Sequence, residues 1–435
     1  MEMRENGQVR QVYCIGIGMG NEKFLTAQAK ECIEASDILI GAKRMLEPFV
    51  QGRDKCPSEV CSDVNCCSEE YLVKRPNGHT GYPSVYLEEY RPAQIREYLL
   101  AHTEFTKCAV LLSGDTGFYS GAKKLACVLE ECGIKVEFLP GISSVVYLAA
   151  RLHTSWEDAA LVSLHGRRQN FIHAISRNKK AFLILGADEG KMLCEKIAYY
   201  GMGHVRFHIG RNLSYEEEEI LSVFGSEIRP EQFAGLVTVM VENPEPVRSV
   251  MLHIPDEEFI RGKVPMTKEE VRTVSISKMK LTEDAVVYDV GAGTGSVSIE
   301  AALAAPGIKV YAIEKNPEGV RLIRENARKF KTDLVQIIEG LAPEVLEGLE
   351  SPTHVFIGGS SGNLKEILKV VREKNPQARI VINAISLETM QEVMEAFQEG
   401  ILQDPEIVQM TVAKSRKLGN YHMMTGQNPI YIVAD

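Results

Sequence analysis

Short apolar runs rich in β-branched residues recur along the chain, and each stops at a glycine-rich turn before a stretch with helical spacing. This alternation predicts βαβ units and parallel sheets, whose strands are covered on both faces and read as continuous apolar runs. The clearest unit is a strand at 285–290, the turn Gly291-Ala292-Gly293-Thr294-Gly295, and a helix at 296–305 stopped by Pro306-Gly307. Further strands are expected at 310–313, 334–338, 355–357 and 379–382, with helices opened by Asn316-Pro317, through 364–371 and over 387–397. Two last strands, near 407–412 and 430–433, fit an antiparallel hairpin closing a doubly wound sheet.

The N-terminal half repeats the strand-then-glycine pattern three times. Strands at 11–17, 109–113 and 136–139 run into Gly16-Ile17-Gly18-Met19-Gly20, Gly114-Asp115-Thr116-Gly117 and Pro140-Gly141-Ile142-Ser143-Ser144. A helix is expected over 24–35, and three such turns in one domain imply a cleft lined by backbone. Residues 51–90 lose the periodicity and contain Pro57, Pro76 and Pro83, so they read as a lid-like loop or insertion. A final strand at 233–241 is broken by Asn243-Pro244-Glu245-Pro246, which sets domains at 1–245 and 250–435.

With 435 residues, 45% hydrophobic and 25% charged, the chain has the balance of a globular protein with more than one core. A net charge of −10 argues against a general grip on nucleic acid, so an anionic substrate must meet locally placed arginine and lysine. No apolar run is long enough to span a membrane, and the cytoplasm is the expected compartment. Ten cysteines in that setting read as reduced thiols; Cys56, Cys61, Cys66 and Cys67 lack paired C-x2-C spacing, and no metal site is expected.

The chemistry is carried by the turn at 291–295. Its spacing is G-x-G-x-G, with Ser296 where a dinucleotide fingerprint wants a third glycine, and Asp289 stands just ahead of it. The next strand ends in Glu314, a carboxylate placed to accept both hydroxyls of an adenosine ribose. Asp289, the turn and Glu314 together resemble the S-adenosylmethionine (SAM) site of class I methyltransferases. The N-terminal turn at 16–20 has no matching acid. Plain structural roles exist for several residues: Thr267 and Glu270 have capping-box spacing, Asp115, Ser143 and Ser144 could cap helices, and His165 could be a turn residue.

The ordered turns of residues 11–242, with Ser163-Leu164-His165-Gly166-Arg167, resemble the tetrapyrrole methylases, and within them the carbon-5 methylating enzymes of cobalamin synthesis. That resemblance implies two α/β subdomains with a SAM cleft. It puts SAM contacts at Gly18, Met19, Ser113, Gly114, Asp115, Phe118, Ser143 and Ser144; Arg167 and Arg168 beside His165 are either a solvated turn or a clamp for the carboxylates of a tetrapyrrole substrate. Met19 and Thr116 stand where the family usually has proline. Residues 253–435 resemble the decarboxylating carbon-15 methyltransferases of the same pathway, which implies a class I SAM-methyltransferase doubly wound sheet. The matching residues place SAM at Thr267, Gly291, Ala292, Gly293, Thr294, Gly295, Glu314 and Ala342, and the substrate near Gly359 and Ser360. The two resemblances together imply methylation of a precorrin or cobalt-precorrin at ring carbons 5 and 15 with loss of a ring carboxylate. A homo-oligomer is the expected state, and no single catalytic residue stands out. A rival reading is a class I methyltransferase on RNA or protein with a recognition module in front; a tetrapyrrole-binding sensor is a second.

Overall fold

The computed structural model describes residues 10–50, 83, 85–164, 169–186, 189–247 and 253–435. The chain forms two compact units, one of Met1–Asp158, His208–Ser222 and Glu231–Met240, the other of Ala159–Phe207, Val223–Pro230 and Val241–Asp435.

The first unit is built on five parallel strands, β1 (Gln11–Gly16), β2 (Ile38–Gly41), β3 (Val85–Glu88), β4 (Lys107–Leu112) and β5 (Lys135–Leu139), in the order β3-β2-β4-β1-β5. Both faces are covered: Val12, Cys14, Ile38 and Val110 pack with Leu99 and Leu125 on one side, and Ile15, Leu39 and Leu111 with Ile33 and Met45 on the other. This is why the strands read as unbroken apolar runs. Cys14 and Cys108 are free thiols inside this core, and burial pushes each up to about 12, so they behave as small apolar side chains.

The next strands are β6 (Ala160–Ser163), β7 (Lys180–Ile184), β8 (Arg206–Arg211), β9 (Glu219–Phe224) and β10 (Val237–Glu242); β6 and β7 pair in parallel. The C-terminal sheet contains β11 (Val286–Val290), β12 (Lys309–Glu314), β13 (Val335–Glu339), β14 (His354–Ile357), β15 (Arg379–Ala384), β16 (Glu406–Met410) and, after the separate pair β17 (Ala413–Leu418) and β18 (Tyr421–Gly426), β19 (Ile430–Ala434). Its order is β13-β12-β11-β14-β15-β19-β16, parallel except for β19. Alternate residues of each strand feed two cores, Tyr288 and Tyr311 on one face and Val287, Val310 and Phe356 on the other.

Local differences from the sequence reading have local causes. The helix expected from residue 24 is Ala27–Glu34, because Thr26 accepts a hydrogen bond from Ala29 N and starts it there. Residues 85–88, expected within a loop, form β3 on the edge of the first sheet. The strand expected from 233 begins at Val237, since Pro230–Phe233 is a 3-10 turn. The capping box fails: the helix Glu269–Met279 has Lys268 at its N-cap, and Glu269 N donates instead to Asp256 Oδ1 at 3.0 Å. The long connection between the closing strands carries its own hairpin, β17–β18, exposed along its length. The cysteine-bearing segment, His165 and Arg167 lie outside the described residues. Among the described residues no helix is long and apolar enough to cross a membrane.

Within the second unit, residues 159–207 contact the C-terminal sheet. Lys196 Nζ lies 2.6 Å from Asp333 Oδ2, whose side chain is wholly buried. Tyr200 donates to Thr332 O at 3.4 Å, Lys331 Nζ donates to Tyr200 O at 3.1 Å, and the Arg328 guanidinium sits 5.3 Å over the Tyr199 ring. Burial raises the Asp333 carboxyl, and Lys196 pulls it back down. Lys196→Met leaves that carboxylate without its cation, so the second unit is expected to lose about 1.5–3 kcal/mol. A denaturant midpoint unchanged from wild type would show that the pair holds nothing together.

Candidate functional site

In the C-terminal sheet the chain runs from β11 to β12 and β13 on one side and to β14 and β15 on the other, so the carboxyl end of β11 is the topological switch point where ligands bind in such sheets. Two of the glycines in the turn there have no room for a side chain. Gly291 has φ +72°, and a Cβ on it would lie 2.6 Å from Gly359 O in the turn after β14; a Cβ on Gly293, at φ +57°, would lie 2.4 Å from Pro265 O. Gly291 N and Ala292 N both donate to Ile313 O at 3.0 Å, while Gly358 N and Gly359 N donate to Val290 O. Three successive strand tips are thereby laced together by backbone alone.

Glu314, at the tip of β12, is buried with its carboxylate already oriented: Oε2 accepts from Gly293 N at 2.7 Å and Oε1 from Asn316 N at 2.8 Å. Each oxygen keeps a second lone pair, so the group can still take ribose hydroxyls. Sequence reasoning placed Glu314 at the ligand but did not foresee that it also pins the glycine turn. Two buried polar atoms in and before the turn, Thr294 Oγ1 and Asp289 Oδ1, have no hydrogen-bond partner. Asp289 is fully buried, accepts from Ser298 Oγ at 2.5 Å through its other oxygen, and is pushed up to about 7 by burial and by the nearby Glu314 charge, against the pull of Ser298. A close-approach glycine turn, an oriented carboxylate and orphaned polar atoms beside it fit SAM.

Pro265 is held over the turn by a network the sequence did not advertise. Arg272, wholly buried, donates to Glu300 Oε1 at 2.6 Å, to Thr267 O at 2.6 Å, to Asp256 Oδ1 at 3.2 Å and to Ile254 O, and its guanidinium lies 4.8 Å from the Phe259 ring centre. Thr267 thus enters the site through its backbone, clamped by Arg272. Ala342, after β13, is buried and accepts from Asn363 Nδ2 at 3.3 Å. Gly359 is exposed and Ser360 buried at the end of β14.

In the first unit the three glycine turns meet. Gly18 and Gly114 form an isolated bridge, with Gly114 N donating to Gly18 O at 2.6 Å. A Cβ on Gly141 would lie 2.3 Å from Gly114 O and 2.4 Å from Gly16 O. Asp115 caps no helix: it accepts from Gly117 N at 2.8 Å and Gly141 N at 3.1 Å, so its carboxylate ties two turns together. Ser143 caps the helix Ser144–Arg151 through Val146 N, Ser144 Oγ accepts from Thr238, and Met19 is buried. Phe118 packs edge-on against Tyr119. Two residues unmarked by any motif join the cleft: Arg44 donates to Ser113 Oγ and to the Tyr215 hydroxyl, each at 3.4 Å, and that hydroxyl lies against Gly20.

Two family models divide the chain between them. The model of the tetrapyrrole (corrin/porphyrin) methylases matches residues 11–228, and that of the precorrin methyltransferase domain matches 258–434. A probable cobalt-precorrin-6B C(15)-methyltransferase (decarboxylating) of Pyrobaculum calidifontis is 43% identical over 183 residues, 41% of this chain and 93% of that protein. The cobalt-precorrin-6B C(15)-methyltransferase (decarboxylating) of Salmonella typhimurium is 38% identical over 181 residues, 41% of this chain and 93% of that protein. A crystal structure of a precorrin-6y C5,15-methyltransferase from Geobacter metallireducens is 41% identical, covers 42% of this chain and 94% of that one, and superposes with a TM-score of 0.39.

Two consequences can be measured. If Glu314 accepts the ribose hydroxyls as its position predicts, Glu314→Ala, which also frees Gly293 N, is expected to lower SAM affinity of the C-terminal site about 30-fold to 1000-fold, from the roughly 2–4 kcal/mol of hydrogen bonding lost. Titration calorimetry giving equal affinities would place the ribose elsewhere. The second concerns pH: with Asp289 titrating near 7 in the folded chain and near its ordinary value when unfolded, the folded state alone holds a proton between about pH 4 and 7. Wild-type stability relative to Asp289→Asn should therefore decline as pH rises through that window, by about 4 kcal/mol. A difference independent of pH would mean that Asp289 ionises like an exposed carboxyl.

Proposed function

The chain belongs to the tetrapyrrole methylases and, over its C-terminal part, to the decarboxylating cobalt-precorrin-6B C(15)-methyltransferases, and from that premise we propose that its halves methylate one precorrin at two carbons. It is a SAM-dependent precorrin methyltransferase of cobalamin biosynthesis. In this reading the glycine cleft of the first unit serves ring carbon 5. The β11–β14 crevice serves carbon 15 and the loss of carbon dioxide. The observation that carries it is that each half contains its own junction of strand tips too close for a Cβ, the backbone-lined surface a nucleoside requires.

Bound SAM supplies a methyl group activated by its sulfonium. The methine carbons of a reduced tetrapyrrole are enamine-like nucleophiles, so the chain's residues have mainly to position. At the C-terminal site, Glu314 and the turn 291–295 fix the nucleoside end, and the strap around Pro265 and Thr267 closes over it. The turn Gly358–Gly362 then faces the ring. Decarboxylation breaks the bond between a ring acetate's methylene and its carboxylate, and the electron pair passes into the conjugated macrocycle. The protein's share is to orient and desolvate that carboxylate. In the first unit Gly18, Gly114, Asp115, Ser143 and Ser144 form the nucleoside surface, and Arg44 and Tyr215 border it. His165 and Arg167 remain proposed partners for peripheral carboxylates. A cytoplasmic homo-oligomer that binds no nucleic acid completes the reading.

Gly141→Ala tests the division of labour. Its methyl meets two backbone oxygens that cannot rotate away, so the turns that form the first cleft are forced apart while the C-terminal crevice is untouched. Mass spectrometry of the product from a precorrin or cobalt-precorrin substrate is expected to show two added methyl groups and lost carbon dioxide with wild type, but a single methyl with lost carbon dioxide with the variant. A variant that still adds both methyls would sink the assignment of carbon 5 to the first unit.

A further inference from the structure

We propose that Lys315, with the apolar shelf of Ile385 and Leu387, is the substrate anchor of the C-terminal site: a lysine ammonium for a peripheral carboxylate and a shelf for the face of the tetrapyrrole. This rests on the functional reading above and extends it to residues that no motif marks.

Lys315 follows the ribose-facing Glu314 at the tip of β12, and its Nζ donates to Ser361 Oγ at 2.8 Å in the turn after β14. Between those strands lies β11, so the Lys315–Ser361 contact joins two strand tips about 9.6 Å apart on either side of the glycine turn. The ammonium is exposed and, among the described residues, pairs with no carboxylate, in a chain whose net charge is −10. Ser361 holds it from a left-handed backbone at φ +56°, the kind of conformation that persists where surrounding structure imposes it. A hydroxyl is a weak partner for an ammonium, and a carboxylate displaces it with gain.

One strand further, past the carboxyl end of β15, Ile385 and Leu387 stand 63% and 79% exposed. Leu387 opens the helix Leu387–Gln398, whose cap is already supplied by Ser386, so neither capping nor core explains an isobutyl group in water there. From the tip of β12 to that of β15 is three strand spacings, roughly 14 Å, the scale of a tetrapyrrole with its side chains. A flat ring with carboxylates on its rim matches a cation at one end of this edge and apolar side chains at the other. An acidic protein segment would match the lysine alone.

The test uses the full chain. In the carbon-15 reaction Lys315→Met is expected to raise substrate KM by about tenfold or more, more than it lowers kcat, because a rim contact is made equally in ground and transition state. Lys315→Arg should stay near wild type, Leu387→Asp should raise KM as well, and SAM affinity by calorimetry should stand unchanged in all three. A readout without turnover is zero-length carbodiimide coupling to uroporphyrin, an octacarboxylate tetrapyrrole: peptide mapping should find the amide at Lys315, reduced in Leu387→Asp. An unchanged KM in Lys315→Met, a parallel loss of SAM affinity, or coupling at Lys315 that ignores Leu387→Asp overturns the proposal. A wild-type chain that methylates no precorrin instead overturns the functional reading, and the coupling result still judges the anchor.

Discussion

Strand tips brought closer than a side chain allows are the constraint on which both sites depend. Gly141 against Gly16 and Gly114 in the first unit, and Gly291 against Gly359 in the C-terminal sheet, put backbone amides and carbonyls where other proteins put side chains. A single methyl on Gly16, Gly141 or Gly291 meets backbone oxygen, which cannot rotate away as a side chain would. The cost of the glycines is conformational freedom in the unfolded chain, and the buried two-faced sheets on either side are what offset it.

The second requirement is that the turns be held still, and the two units meet it with carboxylates. Asp115 accepts amides from two neighbouring turns, and Glu314 accepts them from Gly293 in the turn and from Asn316 after its own strand. In each case the acid does local structural work before any ligand arrives, so loss of function in an Asp115 or Glu314 variant reports a shifted turn as well as a missing contact. Affinity and stability must be measured together to tell the two apart.

Much of this was legible in the sequence because it is local. Apolar runs ending in glycine, Asn316-Pro317 opening a helix and an acid at a strand tip are governed by neighbours in the chain, and they fall where the pattern puts them. What escaped is governed by distance along the chain. Asp256 caps a helix thirteen residues away because Arg272 draws it in, which no spacing rule encodes. Arg44 and Tyr215 meet at Ser113 and Gly20 from 171 residues apart. The docking of residues 159–207 on the C-terminal sheet depends on a lysine and an aspartate that look like ordinary surface charges until the fold buries one of them.

Arg272 shows how far such a distant interaction can reach. A guanidinium removed from water is tolerable only when its donors are paired, and here two carboxylates and two backbone carbonyls take them. Those partners come from Ile254, Asp256, Thr267 and Glu300, so the one side chain joins the strap at 254–267 to the helix that the glycine turn begins. The strap in turn sets Pro265 against Gly293. The position of the strap over the glycine turn is therefore set from beneath by a buried charge, and floor and strap form one preorganised surface.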